Sequence, residues 1–385
     1  MKVYSFSEND ILEFMNKLSY VKESMNPDLT ILFIPASVYE NSTFFKLLNL
    51  TMENSVYITV SALGVIKNEV LQIKSFAGVS IKFLRNGSFE IMLNKKNEEH
   101  KSISEIEEFL QTDKNSTFLI FSTASLMLMV NELISSISKK LDFPINLYGA
   151  IASTDLPTAD TFLSVGSNII NDGFIILKLN NVDSYSITSL GFLPLGIEYT
   201  VTKAYKNLIY ELDGKPVREI LQKILKHTNV NPEDLDMDLT SKLLWEFPIL
   251  IKEDDSYIKT VRVIKEYKDG ALELYGLVGE GCDIMLSYSN PYRMIKDSQT
   301  KLKEMKNLIK YGNKNPELFM TFYCAARYFM FVDNNLNFSE IENLNSFQPT
   351  DNIGILSFGE ISSSFPGSYL SFLNESLILV GMEEL

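Results

Sequence analysis

The chain has 385 residues, 45% hydrophobic and 22% charged, which is ample apolar material for two packed domains. Thirty-five Lys and Arg stand against 49 Asp and Glu, a formal net charge of −14. That balance leaves no broad basic face for nucleic-acid phosphates and no polybasic run for an anionic membrane. Reading from the N-terminus, residues 7–19 predict a helix with Ser7 as cap and Ile11, Leu12, Phe14, Met15 and Leu18 on one face. Thr30–Ala36 predicts a buried strand ended by Pro35, Asn41–Leu50 a short helix, and the stretch SVYITVSALG a second buried strand. Ser102 and Glu105 form a capping box before a helix reaching Leu110; Thr117–Ser122 then predicts a strand and Leu126–Leu141 a helix.

Asn86-Gly87, Asp172-Gly173 and Asp269-Gly270 each fall between apolar extended runs. Such pairs suit the positive-φ centre of a type I′ turn, so each is expected to make a hairpin. Beyond Tyr185, Asp213-Gly214 marks another turn, with a helix following Pro216. A further helix is expected over Asp297–Tyr311 with Gly312 as its stop, and the last 30 or so residues read as two strands around a Ser/Gly-rich loop, Ser362–Ser364. The expected fold class is therefore α+β: mixed, antiparallel-rich sheets flanked by helices, as in a layered α/β sandwich. No Pro/Gly/Ser-rich linker interrupts the chain near residue 185, and no internal repeat is visible. Two intimately packed halves are expected, 1–185 and 186–385.

Several chemistries are excluded by residue supply. The two histidines, His100 and His227, sit in charged surroundings that suit exposed side chains, so a Ser-His-Asp triad or histidine-ligated zinc lacks material. The two cysteines, Cys282 and Cys324, match no disulfide or zinc spacing. No phosphate-binding G-x-x-x-x-G-K-[ST] occurs, and Gly276, Gly279 and Gly281 are in the wrong order for a dinucleotide turn. Asp234, Asp236 and Asp238 start like a calcium loop, but Leu239 and Trp245 stand where glycine and glutamate are required. No cofactor and no metal are expected. The N-terminus lacks the apolar core of a secretory signal, and Phe118–Val130 is shorter than the roughly 20 residues of a membrane span. A reducing cytoplasm is the expected setting, with no nucleic-acid partner and no membrane insertion.

Ordered blocks in the second half carry a resemblance: Gly191-Phe-Leu-Pro194-Leu-Gly196, residues 201–216, VRVI at 261–264, Gly279-Glu-Gly281, Cys324-Ala-Ala-Arg327, GILSFGEI at 354–361 and FLNESLIL at 372–379. Together they resemble the FIST family, with a FIST N-like first half (1–185) and a FIST C-like second half (186–385). The first half departs from the family pattern: Val60 precedes Ser61-Ala62-Leu63-Gly64 where a cysteine is usual, and Tyr148-Gly149-Ala150 stands where a double glycine is usual. The resemblance implies a sensory protein that binds a small ligand such as an amino acid, signalling to a protein in trans because the chain contains no output segment of its own.

The residues of those blocks suit such a ligand. Arg327 offers a planar fork for a carboxylate, Glu360 an acceptor for an ammonium, and Asn374 both donor and acceptor. Gly359 lets a ligand or backbone approach, and Cys324 lies close by at a strand end. The ligand-binding set is thus Cys324, Arg327, Gly359, Glu360 and Asn374. Three alternatives stay open. Arg327 and Glu360 can pair with each other structurally, the scaffold can be an enzyme using Glu360 as base or Cys324 as nucleophile, or the chain can be an interaction module without a ligand. Cys324 can equally be a small core residue.

Overall fold

The computed structural model describes residues 1–96, 101–111, 115–140, 145–155, 160–225, 247–252, 258–336, 339–347, 349–363 and 370–385. His100, His227, the Asp234–Asp238 run and Ser364 lie outside them. The fold is α+β, with mixed sheets faced by helices.

Three six-stranded sheets share one strand order, and this exposes a threefold internal repeat that the sequence conceals. In the first, Lys2–Glu8 pairs antiparallel with Phe76–Lys82, which pairs antiparallel with Leu29–Ile34, which runs parallel to Tyr57–Ser61. The second repeats this pattern with Ser88–Lys95, Gly173–Asn180, Thr117–Ser122 and Asn146–Ile151. The third does so with Val182–Ser189, Leu377–Glu384, Leu318–Cys324 and Asn352–Ser357. Each parallel pair is joined through helical segments, as a parallel connection requires.

Each repeat also gives a hairpin away. After its fourth-position strand the first repeat sends Gly64–Lys67 and Val70–Ile73 to complete the third sheet. The second sends Leu163–Val165 and Asn168–Ile170 to the first sheet, and the third sends Glu360–Ser363 and Leu370–Leu373 to the second. The exchange closes a ring, so strands from either side of residue 186 share two of the three sheets. Two of the expected hairpins are therefore corrected. Asn86-Gly87 and Asp172-Gly173 connect strands of different sheets, whereas Asp269-Gly270 does turn between the paired strands Ile264–Lys268 and Ala271–Leu274, with φ of 52° and 83°. The C-terminal stretch likewise contributes four strands instead of two, because a swapped hairpin interrupts it.

One face of every sheet packs into a common centre. Phe33, Phe121 and Phe322, each within two residues of the end of its repeat's first parallel strand, meet there with ring centroids 6.1 Å apart (Phe33–Phe121) and 6.2 Å apart (Phe121–Phe322). The outer faces carry helices: Ile11–Met25 and Ser42–Thr51 on the first sheet, Ile103–Gln111 and Met127–Lys140 on the second, Pro291–Tyr311 on the third. Central strands are thus covered on both faces, which is why they read as unbroken apolar runs. Gly149 and Gly354 occupy matching places in the second and third repeats. A Cβ there would sit 1.9 Å from the Ile120 carbonyl oxygen and 2.0 Å from that of Thr321, so the close strand approach demands glycine.

Local starts follow the capping rules with small shifts. Asp10, not Ser7, caps the first helix, its carboxylate accepting from the Leu12 and Glu13 N–H groups, because residues 2–8 are already a strand. Ser102 and Glu105 form the expected reciprocal box. The long helix begins at Pro291 under an Asn290 cap, well before the expected Asp297.

The third repeat alone is enlarged. Between Ser189 and Pro291 it carries an additional eight-stranded antiparallel sheet around the long, bulged strand Leu193–Tyr205, with its own core of residues such as Val201, Ile209, Leu272, Ile284 and Leu286. This inserted sheet stands against the second repeat and creates a cleft there.

Candidate functional site

The cleft, about 900 Å³, lies between the inserted sheet, helix Met127–Lys140 and strand Leu370–Leu373. Its lining includes the Gly279-Glu280-Gly281 loop, and a Cβ on Gly279 or Gly281 would meet nothing within 4 Å. Gly281 has φ +81°, a left-handed conformation suited to glycine, while Gly279 has no such constraint. The walls bring both charges together: Lys139, Lys206 and Arg262 with Glu132, Glu280 and Asp283.

Arg262 forms the floor and ties the inserted sheet to the body. Its Nη1 donates to the carbonyls of Phe372 (2.5 Å) and Val261 (3.2 Å), its Nε to that of Leu277 (3.2 Å), and its Nη2 approaches Asn131 Oδ1 at 3.4 Å. The guanidinium also lies over the Phe372 ring, 5.4 Å from its centroid. Asn131 Oδ1 accepts from the Leu277 N–H at 2.7 Å, so one amide fixes both the loop and the arginine. Asn131 and Arg262 escaped sequence reasoning because one sits within an apolar helix and the other within a strand; only the tertiary approach gives them a common task.

None of the five residues singled out from sequence lines this cleft. Asn374 is nearest, its Oδ1 accepting from the Val263 N–H beside Arg262 at 3.3 Å. Gly359 packs against Phe372, where a Cβ would come within 2.4 Å of the ring. Arg327, fully buried, does not meet Glu360. It forms a bidentate pair with Glu340, Nε to Oε2 at 2.8 Å and Nη2 to Oε1 at 2.5 Å. Its Nη1 donates to the carbonyls of Ser189, Leu190 and Glu375. Burial works against its charge, but Glu340 outweighs burial and raises the guanidinium above its ordinary value. With all three nitrogens bound to the chain itself, Arg327 acts as a rivet between helix Ala325–Asp333, the segment Ser339–Glu342 and the root of the inserted sheet.

Glu360 has other company. Its carboxyl accepts from Ser357 Oγ at 2.6 Å and Ser376 Oγ at 2.7 Å. Burial pushes it up to about 7. Next to it Glu375, also buried, has φ +52° and a carboxyl with no hydrogen-bond partner, and burial raises it well above the usual range. Cys324 is buried, and burial first and then Glu360 raise its thiol well above its ordinary value, which favours the protonated form. Sequence reading passed over Glu375, one residue beyond Asn374, and Glu340, because neither burial nor partner is written in local pattern. Among the described residues, no cluster of three or more His, Cys, Asp or Glu is arranged to hold a metal ion. Nor is any described helix long and apolar enough to cross a membrane.

A ring of three hairpin-exchanging α+β repeats with one inserted sheet and a mixed-charge cleft defines a scaffold with a built recess and no metal centre among the described residues. Residues 28–215 match the FIST N domain and 218–363 the FIST C domain; the chain belongs to the FIST family. FIST domains are sensory domains of signal transduction. An uncharacterized protein of Aquifex aeolicus (strain VF5) is 27% identical over 183 residues, which is 45% of this chain and 64% of the relative.

Proposed function

We propose that the chain is a sensory protein whose cleft binds a small zwitterion, an amino acid or a close relative, and reports occupancy to a partner protein in trans. The observation that carries this reading is the cleft lining itself: Lys139 and Lys206 for a carboxylate above the Arg262 floor, Glu132, Glu280 and Asp283 for an ammonium, around an unoccluded Gly279-Glu280-Gly281 loop. Asn374 and Gly359 serve in this reading as support for the cleft's floor, through Val263 and Phe372, while Cys324, Arg327 and Glu360 belong to the buried network of the third repeat. Two free cysteines suit a reducing, cytoplasmic setting.

The test is calorimetric titration and thermal shift with the free amino acids, their decarboxylated amines and their deaminated acids. A zwitterion at a hundred times its dissociation constant should add about 2.7 kcal/mol of stability, whereas amine and acid alone should add less. A Cβ at Gly279 meets nothing within 4 Å, so Gly279→Leu should narrow the cleft and abolish the shift while leaving the fold intact. A panel that shifts nothing, or a shift unaffected by Gly279→Leu, would sink the proposal.

A further inference from the structure

We propose that the chain has a second ligand site, a pocket for an organic anion with an apolar body, across the inserted sheet from the cleft. The two sites share a wall. Strands Ile249–Lys252 and Ile258–Arg262 pair antiparallel, Leu250 opposite Val261 and Ile251 opposite Thr260. Side chains alternate across a strand. Ile251, Thr260 and Arg262 accordingly line the cleft, while Leu250 and Val261 line a separate pocket of about 470 Å³ where the inserted sheet meets helix Pro291–Tyr311.

The pocket is amphipathic. Phe192, Leu193, Leu250 and Val261 supply an apolar surface, and Arg293, Lys296 and Lys301 a cationic border from the helix. Asp297, the carboxylate of the lining, is already engaged: it accepts from Ser189 Oγ at 2.7 Å and the Leu190 N–H at 3.0 Å. Lys301 pairs with Glu304 at 2.9 Å. Arg293 and Lys296 form no ion pair among the described residues, and both are exposed. A local cationic border on a chain of net charge −14 favours an anion selectively, and the apolar surface beneath it requires that the anion carry hydrocarbon. A carboxylate, sulfonate or phosphate ester on an aliphatic or aromatic body meets both demands; a bare inorganic ion meets one. The charge set differs from the cleft's mixed lining, so the two sites should not compete for one ligand.

Octanoate is the probe, titrated calorimetrically into the full chain, with octanol and octylamine as controls of equal length. One molecule of octanoate should bind per chain, at least tenfold tighter than octanol, and octylamine should not bind. The double substitution Arg293→Glu with Lys296→Glu touches exposed side chains and should weaken octanoate at least tenfold. Thr300→Trp, also exposed and at the border of the pocket, should weaken octanoate and octanol alike. Gly279→Leu should leave octanoate binding unchanged, which separates this site from the cleft. Octanoate binding that survives the charge reversal, disappears in Gly279→Leu, or is absent at millimolar concentration would overturn the proposal.

Discussion

Replacing Arg327 by alanine should unfold the third repeat's polar network before it affects any ligand. Arg327 spends Nε and Nη2 on Glu340 and Nη1 on three carbonyl oxygens, all out of solvent. Truncation strands the Glu340 carboxylate with the Tyr323 hydroxyl at 3.0 Å as its remaining side-chain donor. Removing one partner of a buried ion pair costs about 3–5 kcal/mol, and each orphaned buried carbonyl adds to it. Because stability of a whole protein is on the order of 5–15 kcal/mol, Arg327→Ala should lose a large share of it. Arg327→Lys should recover less than half, since one ammonium cannot reproduce the fork. The decisive comparison is Arg327→Met alone against Arg327→Met with Glu340→Gln. If the stranded charge dominates, the double variant should be the more stable of the two, by about 1–3 kcal/mol in urea unfolding at neutral pH. A loss below 1 kcal/mol in Arg327→Ala would refute the reasoning and return Arg327 to the role of a ligand clamp.

Two further outcomes follow from the same geometry. Glu360 is raised to about 7 from an ordinary 4.5, so the folded state holds a proton that the unfolded state gives up first. Its contribution is complete below pH 4.5 and lost as pH rises towards 7, on the order of 3 kcal/mol, and Glu375, raised by the same burial, acts in the same direction. Urea midpoints should therefore fall between pH 5 and 8, and Glu360→Gln should flatten that slope; an unchanged slope in the variant would count against the assignment. Segments 1–185 and 186–385, produced separately, should each fail to give a cooperative melt, because each lacks a hairpin or an acceptor strand found on the other. Produced together they should associate; a cooperative melt from either alone would show that the swapped hairpins are dispensable.

The sequence by itself determined the local pieces. Unbroken apolar runs at 31–34 and 118–121 announced buried strands, Ser102 with Glu105 announced a helix start, and Asp269-Gly270 announced a true hairpin. These signals are local: a cap needs a hydroxyl within three residues of an N–H, and a type I′ turn needs two positions tolerant of positive φ. The ordered blocks also marked the family, and Gly279-Glu280-Gly281 among them does line the cleft. Tertiary structure decided everything that depends on partners. Asn86-Gly87 has the residues of a hairpin turn but joins two sheets, because the exchange of hairpins among three repeats is a long-range choice that no dipeptide encodes. Arg327 and Glu360 were expected near strand ends where they could pair, yet Arg327 lies in the helix Ala325–Asp333 and Glu340, thirteen residues beyond it, takes the guanidinium. Glu375 reads as one more charge in a turn until packing buries it with nothing to hold. Burial and pairing are properties of the assembled core, so side-chain electrostatics at this site became legible only once the third repeat and its inserted sheet were in place.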